Sequence, residues 1–420
     1  MQPYTPVMRW KAGARKISII FTFIDKTTVM KLRSIALLVA GCMLTATNLL
    51  HAQVMDKTGT KVNKKDGHYQ FTTVKEIDVT DVKSQGSSGT CWVFSSMSFL
   101  ESEVIHNGHG RQDLSEMYIV RQAYMLKARN YVRMMGKTNF GPGGEFHDVM
   151  NVIREFGMVP QAVYGTLDAK IEHNEMDEVL KAALDAIIKL PNGKLSAHWQ
   201  DAIAGILDAY LGKVPETFEV EGKKYTPKSY AKEMGINPDD YVAFTSFTHH
   251  PFDKPCVVEV PDNWAWALAY NVPLKDMETI ADAAINQGYP VAWASDVSEK
   301  GFSHKNGVAV VPAKNWEDMS ADERTAIFDH PVPEKEITQA LRQEGFDNLT
   351  TQDDHGMHFM GIVKDQNGNK YYTVKNSRGT ESNENGGIFY VSMPFYLYKT
   401  TFIMVNKNTL PKDIAKRLGI

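Results

Sequence analysis

The chain has 420 residues, with 46 basic and 50 acidic side chains, a formal net charge of −4 and 43% hydrophobic residues. This length and composition are typical of a globular protein with one large domain or two smaller ones. Seven basic residues and one acidic residue precede Ser34, so the part from Gln53 onward has 39 basic and 49 acidic residues, a net charge of −10. That acidic balance argues against nucleic-acid binding, which usually needs a basic surface.

The first 52 residues differ in character from the rest of the chain. Met30-Lys31-Leu32-Arg33 is followed by an uncharged, largely apolar run over residues 34–52. A basic start followed by an apolar run too short to span a membrane is typical of a secretory signal peptide. We therefore expect Met30 to be the true initiator, residues 1–29 to come from a mis-called start, and the mature protein to be periplasmic or extracellular.

Two processing routes fit this segment. Ala52 before Gln53 suits an ordinary signal peptidase, whereas Val39-Ala40-Gly41-Cys42 resembles a bacterial lipoprotein signal with Cys42 as the lipidated residue. The apolar run continues past Cys42, which favours plain secretion over a lipid anchor. Both routes predict an exported protein.

Cysteine is scarce, since only Cys91 and Cys256 remain after signal removal. Cys256 lies in an apolar run after Pro255, which predicts a buried strand thiol. Cys91 follows a Ser- and Gly-rich loop and opens a stretch with apolar residues at helical spacing. A helix N-terminus favours the thiolate form of cysteine, although a single such residue is more often a buried small hydrophobe.

The first part of the mature chain has a helical pattern. Residues 54–80 are polar, and we expect an arm that packs over the domain. Helices are predicted from Cys91 to about residue 133, with a break at residues 108–110, and over residues 145–156. Residues 165–245 are predicted to form a large helical insertion, with helices over 176–188 and 197–211.

Beyond Pro290 the pattern changes to short strands. They are predicted over residues 291–294, 307–311, 357–364, 371–375, 388–392 and 400–406. Asp365-Gln366-Asn367-Gly368 predicts a hairpin turn between two of them. Helices followed by strands predict an α+β fold in two lobes, with a cleft between the lobes.

A thiol nucleophile needs a general base, and the base needs an orienting partner. His355 opens one predicted strand and Asn376 closes the next strand of the same hairpin, so the two side chains can meet and face Cys91. His358 would point to the opposite face of its strand. The two histidines lie near two aspartates, but a metal site would need helical spacing and a third ligand. No metal and no other cofactor is predicted.

Three motifs occur in the order found in the papain superfamily of cysteine peptidases, which this chain resembles. They are Gln85-Gly86-Ser87-Ser88-Gly89-Thr90-Cys91-Trp92, then His355-Gly356-Met357 with Gly361, and Asn376-Ser377-Arg378-Gly379. The separation of 264 residues from Cys91 to His355 leaves room for the large insertion of the bleomycin hydrolase and aminopeptidase C branch. The resemblance implies a papain-like peptidase domain over residues 53–420, with a helical lobe and an antiparallel β lobe.

The resemblance also implies a role for each site residue. Cys91 would be the nucleophile, with its pKa lowered by His355 and by the helix terminus. His355 would be the general base, and Asn376 would orient its ring. Gln85, together with the Cys91 backbone N–H, would form the oxyanion hole.

Gly143 and Gly144 match the paired glycines that contact the substrate backbone in papain-like clefts, where a side chain would block approach. Ser88 stands where papain has a disulfide cysteine. Arg378 replaces the tryptophan that usually shields the bond between asparagine and histidine. His249 and His250 are predicted to be loop histidines.

These expectations describe an exported cysteine peptidase that hydrolyses peptide bonds through a thioester acyl-enzyme, as an aminopeptidase. Relatives in this branch have a C-terminal arm that enters the cleft, and the chain ends at Ile420 soon after a short helical stretch, so endopeptidase or dipeptidyl peptidase action is an alternative. Two further alternatives are a catalytically silent peptide-binding scaffold and an amidase with the same geometry. Arg378 is the only residue that favours the silent scaffold. Peptides are the expected substrates, and the hexamers formed by relatives suggest a homo-oligomer.

Overall fold

The computed structural model describes residues 53–165, 173–190 and 194–420. The predicted signal peptide, including Met30 and Cys42, lies outside these residues. The described part contains eleven α-helices, which are α1 (Cys91–His106), α2 (Glu116–Arg133), α3 (Phe146–Phe156), α4 (His173–Ile188), α5 (His198–Leu211), α6 (Pro227–Glu233), α7 (Leu274–Asn286), α8 (Ala321–Ala326), α9 (Gln339–Asp347), α10 (Met393–Lys399) and α11 (Lys412–Leu418). Its fourteen strands are β1 (Lys61–Val62), β2 (Gln70–Glu76), β3 (Phe218–Val220), β4 (Lys223–Tyr225), β5 (Tyr241–Thr245), β6 (Lys254–Val257), β7 (Leu268–Asn271), β8 (Val291–Ser295), β9 (Phe302–Ser303), β10 (Val308–Ala309), β11 (His355–Lys364), β12 (Lys370–Lys375), β13 (Ile388–Ser392) and β14 (Thr400–Asn406).

Local capping sets the ends of the helices that frame the cleft. α2 begins after Ser115, whose side chain accepts a hydrogen bond from the N–H of Tyr118. The side chain of Asp148 accepts from the N–H of Glu145 at the start of α3, over 2.8 Å. Such bonds satisfy N–H groups near a helix start that have no partner within the helix. α3 ends at Gly157, whose φ of 86° lies in the region that favours glycine.

Most strands join one large sheet of twelve strands. Its main order is β6-β7-β5-β14-β8-β11-β12-β13-β10-β9, and β2 joins it beside β11 with β1 alongside. Neighbouring strands are antiparallel except for the pairs β5–β7 and β10–β13. β3 and β4 form a separate hairpin.

Two hydrophobic cores meet at this sheet. On β8, Ala292 and Ala294 belong to the core formed with the helices, whereas Val291 and Trp293 belong to the core on the other side. β14 divides its side chains in the same way, because alternate residues of a strand point to opposite faces. The prediction of an α+β fold with a helical lobe and a β lobe is confirmed.

The predicted insertion contains α4, α5, the β3–β4 hairpin and α6. Leu180 and Leu184 of α4, with Leu207 of α5, are fully buried in the helical core. An ion pair of 2.8 Å between Arg121 and Asp208 also joins α2 to α5. Among the described residues, no helix combines the length and the apolar character needed to cross a membrane.

Two expectations about individual elements were wrong. Residues 54–80 are not only an overlying arm, because β2 within them pairs with β11 in the sheet. Two strands that were not predicted also precede Pro290, since β5 pairs with β14 and with β7. Both are short, and β5 has its partner β14 far away in sequence, so local periodicity could not reveal them. The strand predicted around Cys256 is present as β6, which pairs with β7.

Candidate active site

A cleft with a cavity volume of about 350 Å³ brings distant segments together between α1 and the sheet. Five of the predicted site residues line it, namely Gln85, Cys91, Gly143, Gly144 and His355. The sixth, Asn376, contacts His355 from behind, as described below.

Cys91 is the first residue of α1 and is partly exposed in the cleft. In the preceding loop Gly86 and Gly89 have φ values of 59° and 64°, which glycine adopts readily. The backbone N–H groups of Trp92 and Gly356 act to lower the pKa of the Cys91 thiol. These donors favour a thiolate at this position.

β11 approaches α1 very closely at Gly356. A Cβ atom there would lie 2.7 Å from Ser95 Oγ and 3.2 Å from Trp92 Cα. Glycine therefore permits the contact that brings the preceding residue, His355, next to the start of α1.

His355 and Asn376 lie at adjoining ends of two paired strands. β11 and β12 are antiparallel, with His358 opposite Lys375, so Asn376, the residue after β12, lies near the start of β11. His355 Nε2 donates to Asn376 Oδ1 over 2.7 Å. Because an amide oxygen only accepts, this bond leaves Nδ1 of the neutral imidazole as the acceptor.

The Gln85 side chain is oriented by Ser377. Ser377 Oγ donates to Gln85 Oε1 over 2.6 Å, and the Gln85 backbone N–H donates to the Ser377 carbonyl oxygen over 2.8 Å. With Oε1 held in this way, the Nε2 group is the part of the amide that can donate to a ligand in the cleft.

Gly143 and Gly144 form one rim of the cleft. A Cβ atom on Gly143 would lie 1.9 Å from the Asp262 carboxylate, and one on Gly144 would lie 2.9 Å from the Trp92 ring. Trp92 Nε1 also donates to the Pro142 carbonyl oxygen over 2.9 Å. The close approach of these two side chains thus requires glycine here, in addition to any contact with substrate.

Comparison with protein families assigns the chain. The model of the Peptidase C1-like family matches residues 119–419, and the model of the papain family of cysteine proteases matches residues 68–158. The chain belongs to the Peptidase C1-like family. It is a cysteine-type peptidase, and the resemblance inferred from its motifs is confirmed.

Individual members support this assignment over most of the chain. Aminopeptidase G of Lactobacillus delbrueckii subsp. lactis is 22% identical over 391 residues, which cover 82% of this chain and 85% of that protein. The mitochondrial Cysteine proteinase 1 of Saccharomyces cerevisiae is 24% identical over 412 residues, covering 85% and 81%. The crystal structure of PepW from Lactobacillus rhamnosis HN001 has a TM-score of 0.66 at 18% identity, covering 94% and 95%, and this likeness shows the papain-like fold.

This Peptidase C1-like site contains a residue that the sequence analysis did not identify. Asn376 Nδ2 donates to His304 Nδ1 over 3.2 Å, and His304 Nε2 in turn donates to Ser382 Oγ over 2.8 Å. His304 thus holds the side of the Asn376 amide that faces away from His355. His304 follows the two-residue strand β9 and belongs to no recognisable motif. Its position before Gly307 was the only sequence signal, and it is a weak one.

Arg378, at the position where the family usually has tryptophan, is exposed at the edge of the cleft. Its positive charge contributes to lowering the pKa of both His304 and His355. Arg378 thus does not replace the tryptophan as a cover, and His304 contacts the side of Asn376 that faces away from His355.

Burial has a strong effect on the pKa values of Cys91 and His355. It raises the pKa of Cys91 to about 11 and lowers the pKa of His355 to about 4. The expected lowering of the Cys91 pKa is thus absent, because desolvation outweighs the N–H donors. A thiol and a neutral imidazole are favoured in the cleft, and charge separation requires proton transfer from one to the other.

The remaining sequence candidates lie elsewhere. His358 is fully buried and its Nδ1 lies 3.0 Å from Ser98 Oγ in the middle of α1. Cys91 and Cys256 are both free thiols, and Cys256 is buried in β6. His249, His250 and Glu259 form a group whose possible ligand atoms lie within 4.8 Å of one another, but the two histidines already hydrogen-bond to that carboxylate and none of the three lines the cleft.

Proposed function

We propose that the protein is an exported cysteine aminopeptidase that uses Cys91, His355 and Asn376 to hydrolyse peptide bonds. The observation that carries this proposal is the bond from His355 Nε2 to Asn376 Oδ1, with Cys91 in the same cleft. The bond fixes the ring so that its accepting nitrogen is available for a thiol proton. The relatives named aminopeptidase support the choice of aminopeptidase over other peptidases.

Acylation begins with transfer of the Cys91 thiol proton to Nδ1 of His355, whose imidazolium is stabilised by Asn376 Oδ1. The thiolate attacks the carbonyl carbon of the substrate and forms a tetrahedral oxyanion. Gln85 Nε2 and the Cys91 backbone N–H donate to this oxyanion. The C–N bond then breaks, the leaving amine takes the proton from His355, and a thioester remains on Cys91.

Deacylation uses the same groups in the reverse order. His355 removes a proton from water, and the resulting hydroxide attacks the thioester carbon. The C–S bond breaks, the sulfur is reprotonated by His355, and the carboxylic acid product leaves. Atoms and charge balance without a metal ion or any other cofactor.

A peptide library with free and acetylated N-termini tests the type of cleavage. We expect release of single N-terminal residues from free-amine peptides and little cleavage of the acetylated set. Internal cuts in acetylated peptides would instead favour the endopeptidase, and release of dipeptides would favour the dipeptidyl peptidase. Absence of turnover in every peptide would favour the silent scaffold.

The proposed location is outside the cytoplasm, supported by the apolar run over residues 34–52 behind Lys31 and Arg33. Cell fractionation and N-terminal sequencing test it. A mature protein that starts at Gln53 in the soluble exported fraction agrees with plain secretion. Membrane retention that is lost in Cys42→Ser indicates a lipid anchor, and an unprocessed cytoplasmic protein contradicts export. Light scattering on the purified protein distinguishes a monomer from the homo-oligomer that the resemblance implies.

A further inference from the structure

One wall of the cleft is strongly acidic. The carboxyl groups of Glu145, Asp262, Asp353 and Asp354 all line it, and Arg378 is the only lysine or arginine in the described lining. Two of these acids are already satisfied by donors from the protein. Asp262 accepts from Asn139 Nδ2 over 2.9 Å, and Asp354 accepts from the backbone N–H of Ser298 over 2.9 Å.

The other two acids, Glu145 and Asp353, contact each other. Their carboxyl groups lie within hydrogen-bonding reach, with Asp353 Oδ1 also accepting from Thr401 Oγ1 over 3.1 Å. Glu145 is only 2% exposed, and its Oε1 has no donor among the described residues. A buried, unpartnered oxygen of this kind is costly unless a ligand satisfies it.

Two carboxylates at this distance cannot both be ionised without strong repulsion. The pair therefore shares a proton, in agreement with the raised pKa of both groups. No lysine, arginine or histidine in the described part of the chain forms an ion pair with either acid. The nearby buried Lys127 instead donates to the carbonyl oxygens of Gly141 and Gly143.

The position of the pair connects it with substrate. Glu145 directly follows Gly144 on one rim of the cleft, and Asp353 lies two residues before His355 on the other. A cation between the two carboxyl groups would replace the shared proton and would supply the donor that Glu145 Oε1 lacks. A cation at this position would lie in the same cleft as a peptide whose scissile carbonyl carbon is at Cys91.

We propose that Glu145 and Asp353 form a subsite for a positively charged group of the substrate, either the α-ammonium of a free N-terminus or the side chain of lysine or arginine. This inference rests on the proposed peptidase function and specifies its substrates. Both sources present the same chemistry, an N–H cation that donates to two carboxylate oxygens.

Four matched peptides separate the two sources. They have lysine or norleucine at the same position near the N-terminus, each with a free or an acetylated amine. We expect kcat/KM for the preferred cationic peptides to exceed that of the acetylated norleucine peptide by about ten- to a hundredfold, as for a charge-assisted hydrogen bond. A gain confined to free-amine peptides identifies the α-ammonium, and a gain confined to lysine peptides identifies the side chain.

The variants Glu145→Gln and Asp353→Asn keep the shape of the site but remove its charge. Each should reduce the ratio between cationic and neutral peptides toward one, whereas Glu344→Gln, which removes an exposed carboxylate on α9, should retain the wild-type ratio. Thermal unfolding identifies variants that fail to fold. If neither variant folds, the subsite is tested by the wild-type ratio of kcat/KM between cationic and neutral peptides and by the decrease of that ratio with added salt.

Equal kcat/KM for all four peptides in the wild-type enzyme, or an equal loss for all four in the folded variants, would overturn the subsite. Failure of the peptidase function itself gives a different result, because no peptide would be cleaved, or cleavage would persist in Cys91→Ala.

Discussion

The amide nitrogen of Asn376 donates to Nδ1 of His304 over 3.2 Å, on the side of the amide opposite His355. His304 can accept this bond only as a neutral ring, and its lowered pKa of about 4, caused mainly by burial, keeps it neutral. The bond to Ser382 Oγ places the remaining proton of His304 on Nε2. One chain of hydrogen bonds thus sets the orientation of Asn376 and, through it, the tautomer of His355.

Substitution of His304 should therefore weaken catalysis more than binding. His304→Ala removes the acceptor for Asn376 Nδ2, and we expect kcat to fall about tenfold with little change in KM, the cost of one lost hydrogen bond. His304→Asn places a side-chain oxygen two bonds from Cβ, as Nδ1 is in histidine, and should recover part of the loss. Steady-state kinetics on both variants measure this, and equal kcat values for His304→Ala and wild type would contradict the positioning role.

Gln85 should act on the transition state alone. Gln85→Ala removes the proposed Nε2 donor, and loss of one oxyanion donor typically lowers kcat by about 10²–10³. Ser377→Ala keeps that donor but removes the bond that orients it, so a smaller loss is expected. An unchanged kcat in Gln85→Ala would show that the oxyanion is bound elsewhere.

A methyl group at Gly356 should separate His355 from Cys91. Gly356→Ala places a Cβ atom 2.7 Å from Ser95 Oγ and close to the α1 backbone, so β11 must move away from Cys91. Activity should fall steeply, and Ser95→Gly in the same chain should restore part of it. Gly205→Ala on α5, where no atom lies within 4 Å of the added methyl, is the matched control and should leave activity unchanged.

Buried carboxyl groups make stability depend on pH. Glu103 is fully buried, and desolvation raises its pKa from 4.5 to about 7. The folded state therefore binds this proton more tightly than the unfolded state, so the stabilisation is present at low pH and is lost as pH rises through about 7. The loss of this stabilisation between low and high pH lowers the free energy of unfolding by on the order of 3 kcal/mol, because each pKa unit corresponds to about 1.4 kcal/mol.

Buried histidines with lowered pKa values change stability in the opposite direction, because they destabilise the folded state as the pH falls below their usual pKa. Glu103→Gln removes the contribution of Glu103 alone and so separates it from that of the histidines. The variant should lose less stability than wild type between about pH 5 and pH 8 in denaturant unfolding. The exposed Glu344→Gln serves as control. Identical pH profiles for Glu103→Gln and wild type would show that Glu103 has an ordinary pKa in the folded protein.

The sequence predicted the two lobes and the main strands because periodicity is strong in the helices and in the later strands such as 388–392 and 400–406, which the structure reproduces at the same bounds. It also named Cys91, His355 and Asn376, because their motifs are local. Sequence could not show β5 and β7, whose pairing depends on β14 and on long loops. Nor could it show His304 or the contact between Glu145 and Asp353, which exist only after distant segments pack together.

The most direct test of the account compares Cys91→Ala with Cys256→Ala, which removes the other thiol of the described chain. Hydrolysis of a free-amine peptide by equal amounts of folded protein is measured for wild type and both variants. Cys256→Ala should retain wild-type kcat/KM, whereas Cys91→Ala should show no turnover above the uncatalysed rate. Peptide hydrolysis by Cys91→Ala at the wild-type rate would contradict the role of Cys91 as the nucleophile.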